Sequence, residues 1–479
     1  MNATTLVWFR QDLRLNDNPA LAHAAQLGTV LPVYIFDTNC PEHFKMGSAS
    51  KWWLHHSLEA LNDSLSEQLH CVSGVASEVL FNIVQQHNIK HVVWNRCYEP
   101  WQIKRDTELK KLLQAAGVKV QSFNSHLLWE PWQVLKKDKT PYKVFTPYYR
   151  RGCLSTAGPR MPIAAPKKID IVYDSGLDDG VDSLDLLPAI PWFETMEQMW
   201  TPGEQGAAQR LSEFLPEGVK NYKNQRDFPA LQATSQLSPH LHFGEISPNQ
   251  IWHAAIASLH GNTEDAGLDG YLTELGWREF SYYLLFHFPH IAQENFSPNF
   301  EHFPWRTDTK ALRAWQQGQT GIPIVDAGMR ELWQTGTLHN RVRMVVASFL
   351  VKNLLIDWRE GERWFWDCLV DADLAANSAS WQWVAGTGAD AAPYFRIFNP
   401  VTQGQRFDAN GEYVKRYCPE LSKIPAKYIH NPWEAPNNIL EYAGVKLGEN
   451  YPEPMVDLKA TRQRALEALA QSKKLRGEL

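Results

Sequence analysis

The chain has 479 residues, 44% of them hydrophobic and 21% charged, the composition of a folded globular protein too long for one compact core. No apolar run approaches the ~20 residues of a membrane-spanning helix, the start MNATTLVWFRQDL carries no leader pattern, and six scattered cysteines without a CxxC pair predict reduced thiols rather than a disulfide framework or zinc site. The net charge of −6 gives no overall pull toward nucleic acid, so any such contact needs a local basic patch, while 20 tryptophans are the compositional outlier.

The first part alternates strand and helix signals. Residues 5–9 (TLVWF), 30–36 (VLPVYIF), 91–95 (HVVWN) and 118–123 (VKVQSF) read as short buried strands. Between them, residues 51–69 place Leu54, Leu58, Leu61, Leu65 and Leu69 on one helical face, and 78–87 and 103–116 are similar. This alternation predicts an α/β doubly wound parallel sheet. No GxGxxG follows the first strand, so ordinary dinucleotide binding is not indicated. From 155 to 201 the periodicity is lost among Pro, Asp and Gly. The pattern is then helical nearly to the end, closing with a charged, Ala-rich helix over 458–479. The expected division is an α/β domain over 1–135, a connector over 136–205 and a large all-α domain over 206–479.

Four clusters carry chemistry. The segment YKNQRDFPALQATSQLSPHLHFGEIS (222–247) gathers the hydroxyls of Thr234, Ser235 and Ser238, and Ser238-Pro239 reads as an N-cap with Pro at the first helical position. Clustered donors at a helix start suit a diphosphate; an ordinary capped loop has the same look. In ELGWREFS (274–281), Glu274 shares a helical face with Trp277 and Arg278, which by itself reads as an ion pair beside a core indole. In LHNRVRM (338–344), Asn340 and Met344 face one way, and Arg341 fits a phosphate contact. The stretch DADLAANSASWQWVAGTGADAAPYFRIFNP (371–400) packs two carboxylates, an amide and two indoles together. That density suits a large planar cofactor and a base-like substrate more than a plain helical core.

Together these motifs, with VWFRQDLRLNDNPAL at the start, resemble the photolyase/cryptochrome family over essentially the whole chain. The resemblance implies FAD, held by Tyr222, Thr234, Ser235, Gln236, Leu237, Ser238, Tyr271, Arg343, Asp371, Asp373 and Asn377. Gln236 stands where the family often has Arg, and Arg343 is expected to pair with Asp371. Asn377 is implied to sit by flavin N5, where an amide can donate or accept. Arg226, Glu274, Trp277, Arg278, Asn340, Arg341, Met344, Trp383 and Gln403 are implied to meet UV-damaged DNA, with Trp383 stacking on a flipped dimer and Arg278 near DNA or flavin. Trp381, Trp358 and Trp305 match the family's electron relay, with Trp364 and Trp366 as nearby competitors.

Asn377, Met344 and Trp383 favour cyclobutane pyrimidine dimer photolyases, of the bacterial class I/class III kind, over signalling cryptochromes. The implied chemistry is a carbon-carbon lyase reaction, with Glu274 as hydrogen-bond or proton partner of the lesion. The resemblance further implies a methenyltetrahydrofolate antenna, for which Glu130 in LLWEPW is the candidate contact, although Trp101-Gln102 stand where some relatives hold folate. A monomer in the cytoplasm, meeting the nucleoid when bound to DNA, with no membrane and no metal, completes the expectation.

Overall fold

The structure, a computed structural model, describes residues 3–475. It divides into two compact units, one made of residues 1–220, 235–289 and 370–375, the other of 221–234, 290–369 and 376–479.

The first unit is built on five parallel strands, β1 (Ala3–Phe9), β2 (Gly28–Asp37), β3 (His70–Gly74), β4 (His91–Asn95) and β5 (Lys119–Phe123), in the order β3-β2-β1-β4-β5. The doubly wound sheet expected from strand-helix alternation is present. Its inner strands are largely apolar on both faces because both faces are covered. Val7, Phe9, Val30 and Val93 point to one side, against Leu21 and Ala24 of the helix Pro19–Leu27 and Trp52, Trp53, Leu58 and Leu61 of the helix Ser48–Ser64. Leu6, Trp8, Leu31, Val33, Val92 and Trp94 point to the other, against Leu80, Ile83 and Val84 of the helix Ala76–Gln86 and Leu109 and Leu113 of the helix Pro100–Ala115.

Several local readings need correction. The sheet has a fifth strand, β3, that the sequence pattern does not announce. It lies at a sheet edge and buries only His70 and Cys71 fully, so HCVSG lacks the apolar run of an inner strand. The helix expected over 51–69 runs Ser48–Ser64. Ser66 and Glu67 take φ of 57° and 60° and end it, yet Leu65 and Leu69 are still buried, which prolongs the leucine spacing past the helix. Within 136–205, the aperiodic stretch is packed: Leu184, Leu186, Met196 and Trp200 join the core on the first face of the sheet, and the backbone at Asp170 and Val172 bonds Val30. Irregular chain can bury apolar groups without any repeating interval. The last helix is Leu458–Leu475; residues 476–479, included in the sequence expectation, lie outside the described residues.

Gly244 is a tight point of the first unit. Its φ is +69°, and a Cβ there would lie 2.0 Å from the carbonyl oxygen of Gln11. The approach lets Leu13 N–H donate to the Phe243 carbonyl at 3.1 Å and the buried Arg14 Nη1 to the Gly244 carbonyl at 2.7 Å.

The second unit is helical, with Pro323–Thr335, Asn340–Ser348, Trp358–Cys368, Pro400–Phe407 and Leu458–Leu475 among its helices. Buried Asp326 accepts from Thr320 N–H at 2.7 Å, Thr320 Oγ1 at 2.6 Å, Gly321 N–H at 2.9 Å and Tyr451 O–H at 2.8 Å, so the turn before Pro323–Thr335 is held by a carboxylate with its donors matched. Glu331 is buried on the same helix and accepts from the Tyr413 hydroxyl. Burial, only partly offset by that bond, pushes its carboxyl up to about 7. No helix among the described residues is long and apolar enough to cross a membrane.

Gly244→Ala is expected to destabilise the protein by about 3 kcal/mol or more, through a left-handed backbone and a clash with main chain; chemical denaturation measures this. Glu331 binds its proton more tightly folded than unfolded, so its stabilising contribution is full below about pH 4.5 and falls as pH rises toward 7. Glu331→Gln should therefore leave the melting temperature nearly unchanged at pH 5 and raise it at pH 8, as read by thermal denaturation at both pH values.

Candidate active site

The candidate residues fall in both units. In the first, Leu237 is buried and Gln236 takes a left-handed φ of 52°. The Gln236 side-chain oxygen accepts from Arg210, whose Nη2 also donates to the Met199 carbonyl at 2.6 Å and whose guanidinium lies 4.5 Å from the Trp200 ring. Ser238 opens the five-residue helix Ser238–His242 but does not cap it with its side chain. The capping role read from Ser238-Pro239 is corrected: the hydroxyl donates instead to Asp371 Oδ2 at 2.6 Å, a stronger, charged acceptor. Tyr271 is buried against Phe214 at 4.8 Å and hydrogen-bonds Ser235, and burial raises its phenol above the usual range.

Tyr271, Glu274, Trp277 and Arg278 all project from the long helix Ala266–His287. Trp277 stacks on Phe145 with centroids 3.7 Å apart and planes 9° off parallel. Glu274 and Trp277 are each partly exposed. Arg278 is turned inward. Its Nη1 donates to the His126 carbonyl at 2.8 Å, and Nη2 lies 2.7 Å from His126 Nε2.

Asp371 and Asp373 are both buried. Asp373 Oδ2 accepts from the Tyr282 hydroxyl and lies 3.4 Å from His242 Nδ1. Burial works against its charge, but the His242 bond and charge, Arg278 and Tyr282 outweigh it and hold the carboxyl well below the usual range. Burial pushes neighbouring Glu99 the other way, up to about 7, with the negative field of Asp373 adding to it and the Trp101 indole N–H, 2.6 Å away, opposing. His242 and Tyr282 were absent from the sequence expectation, although Arg278 and Tyr282 are four apart on one helix face, a signal that could have been used. His126 had no such signal.

Glu130 is buried. Its Oε1 faces Arg96 and its Oε2 accepts from the Tyr98 hydroxyl at 2.9 Å.

In the second unit, Arg226 lies with its guanidinium 5.2 Å from the ring of buried Tyr222, and Thr234 is partly exposed. Asn340 is exposed and Met344 partly exposed at the start of their helix, where His339 Nδ1 accepts from Arg341 N–H at 3.2 Å. Burial takes His339 down to about 4, so it is a neutral cap at pH 7. Arg341 pairs with Asp227 at 2.9 Å and rests on the Phe407 ring at 4.4 Å; Arg343 Nε donates to the Leu338 carbonyl at 2.7 Å. Gln403 is partly exposed.

Asn377 and Ser378 both reach Glu362. Asn377 Nδ2 donates to the Glu362 carbonyl at 3.1 Å, which fixes the amide's orientation, and Ser378 Oγ donates to the Glu362 carboxylate at 2.6 Å. Burial lifts Glu362 to about 7. Trp381 is 2% exposed and lies over Gly361, where a Cβ would be 2.1 Å from its ring. Gly361 is one turn after Trp358, and no larger residue could bring that turn as close to the indole. Trp358 is fully buried with Nε1 donating to Asn295 Oδ1 at 2.9 Å, and Trp305 packs on Phe303 at 4.4 Å. Trp364 instead stacks on Trp333 at 5.8 Å. Between the two indoles, Gln382 bonds the carbonyls of Ile291 and Glu294 at 2.8 and 2.9 Å and accepts from Phe296 N–H at 2.8 Å. It anchors the helix so that Trp383, partly exposed, and buried Trp381 sit in different surroundings.

Comparison with known proteins gives this arrangement its context. Residues 5–167 match the family described as DNA photolyase, and residues 271–471 the FAD binding domain of DNA photolyase. The deoxyribodipyrimidine photo-lyase of Agrobacterium fabrum is 48% identical over 98% of each chain. Cryptochrome-1 of Arabidopsis thaliana is 38% identical over 98% of this chain and 70% of its own. The crystal structure of a bacterial class III photolyase from Agrobacterium tumefaciens superimposes with a TM-score of 0.95, at 48% identity, covering 99% of this chain and 98% of that one. With its sheet-based and helical parts both matched, the chain belongs to the DNA photolyase/cryptochrome family.

Proposed function

We propose that the protein is a deoxyribodipyrimidine photolyase that repairs cyclobutane pyrimidine dimers in DNA under blue light. The observation that carries this reading is the 48% identity, over 98% of both chains, to a deoxyribodipyrimidine photo-lyase. Its functional parts are an antenna domain over 1–135, a connector over 136–205 and a catalytic domain over 206–479.

FAD, when bound and reduced, supplies the light absorption and the electron that splits the cyclobutane ring. The residues present suit that group. Asp373 stays ionised and is an acceptor only, the complement of an N–H on a ring edge. Tyr222, Thr234, Ser235, Gln236, Leu237, Ser238, Tyr271, Arg343 and Asp371 are the other proposed contacts. Asn377, oriented by Glu362, offers an amide that does not titrate. Its neighbours keep it available in one pose, whatever the charge on the ring beside it.

On the substrate side, Trp383 stacks on the extruded dimer, and Glu274, Trp277, Asn340 and Met344 complete its surroundings. Arg226, Arg341 and Gln403 meet the strand. Trp381, Trp358 and Trp305 carry an electron inward when the flavin is oxidised. Methenyltetrahydrofolate is the proposed antenna. Glu130 remains its candidate contact, since Oε1 is taken by two Arg96 donors but Oε2 keeps a lone pair beyond the one facing Tyr98. The protein is proposed to act as a cytoplasmic monomer.

The second reading is a cryptochrome-type photoreceptor, favoured by the 38% identity to Cryptochrome-1. Illumination of the reduced protein with thymine-dimer oligonucleotide separates the two: recovery of thymine absorbance is expected, and its absence with fully reduced FAD bound rejects repair. Trp383→Ala should weaken binding to dimer-containing DNA about 10-fold, from stacking worth roughly 1–3 kcal/mol, with little change for undamaged DNA in the same titration. Trp358→Phe should abolish photoreduction of oxidised enzyme in stopped illumination while chemically reduced enzyme still repairs.

A further inference from the structure

We infer that Arg278 is a positioning residue which, through His126, fixes the direction of the Tyr282 hydroxyl proton and thereby the way Asp373 is presented to FAD. The inference rests on the proposed contact between Asp373 and the flavin.

The case is one of counting donors and lone pairs. A guanidinium can only donate. Arg278 Nη2 is 2.7 Å from His126 Nε2, and Nη1 donates to the His126 carbonyl at 2.8 Å, so the fork holds ring and backbone of one residue together. His126 Nε2 must therefore accept, and the imidazole is neutral with its proton on Nδ1. Burial, and then the charge of Arg278, hold this histidine well below its ordinary range, in agreement with that state. The other charges facing it are Asp373, His242 and Arg14.

The Tyr282 hydroxyl lies between two acceptors. His126 Nε2 is 2.7 Å away on one side and Asp373 Oδ2 is on the other. An imidazole nitrogen has one lone pair, and Arg278 occupies it. The single phenolic proton is thus left for Asp373. Oδ2 of Asp373 is then served by Tyr282 and approached by His242 Nδ1 at 3.4 Å, so the carboxylate's orientation follows the phenolic proton. Without Arg278, His126 Nε2 is open to the Tyr282 proton, and Asp373 loses its closest donor. The phenol itself stays strongly protonated, since burial and the Asp373 charge both raise it well above the ordinary value.

The test uses the FAD-bound protein labelled with 15N-histidine, with His126→Gln to assign the His126 signal. The expected wild-type result is an Nδ1–H tautomer that does not titrate between pH 6 and 8. Arg278→Leu should shift the ring toward Nε2–H or bring its titration into that window, and Arg278→Lys, which keeps a donor-only group, should restore the wild-type tautomer. FAD retention, measured by dilution and fluorescence of released flavin, should fall about 10-fold in Arg278→Leu and in Tyr282→Phe, and by about 10-fold in total rather than 100-fold in the double variant, because both remove the same donor. An Nε2–H tautomer in wild type overturns the inference, as do independent, multiplying losses in the double variant. Unchanged FAD retention in both single variants overturns the link to the cofactor. Failure of the FAD reading itself is a separate result: purified wild type without flavin, with the tautomer still measurable.

Discussion

Asp373 must remain an anion in a buried place, and that requirement organises the first unit. Ionised carboxylates are costly to bury unless donors and positive charge surround them. Here the partners come from far apart in the chain: His242 from the short helix that begins at Ser238, and the Tyr282 hydroxyl and the Arg278 charge from the long helix Ala266–His287. Asp371 beside it takes the Ser238 hydroxyl. Residues 370–375 consequently belong with the sheet-bearing unit although their neighbours in sequence do not. Val370, fully buried in the core on one face of the sheet, ties the same short segment down by apolar packing.

The helix Leu374–Ala385 continues from these carboxylates into the second unit, and there the requirement changes from charge to orientation. Asn377 and Ser378 are both anchored on Glu362, and Trp381 packs against Gly361 one residue earlier. Burial lifts the Glu362 carboxyl to about 7, so it carries only part of its charge at neutral pH while it holds Ser378. Gln382 takes up three backbone groups of the preceding loop. An indole on either side of such an anchor cannot rotate the helix to exchange places, which is why a Trp-Gln-Trp sequence can hold one buried ring and one accessible ring.

Much of this was legible in the residues. The three inner strands stood out because each must be apolar on both faces, and the edge strand β5 through its alternation; the edge strand β3, HCVSG, has neither pattern. The leucine run over 51–69 pointed to the right face but past the true helix end, since Leu65 and Leu69 are buried after the backbone has already turned at Ser66 and Glu67. Ser238 before Pro239 has the local form of a cap, and local form could not reveal a carboxylate 133 positions away competing for the hydroxyl. Arg278 stood between two expectations, DNA and flavin; its contacts lie with His126, a residue no periodicity or motif connects to it.

The sequence by itself determined the fold class and the family and named the candidate side chains, because strand patterning and motif spacing are properties of neighbouring residues. Tertiary structure alone decided which of those side chains are charged, which proton they carry and which way they point. Those states depend on burial and on donors brought together over long sequence distances, as at Asp373. Sequence spacing holds no record of that convergence.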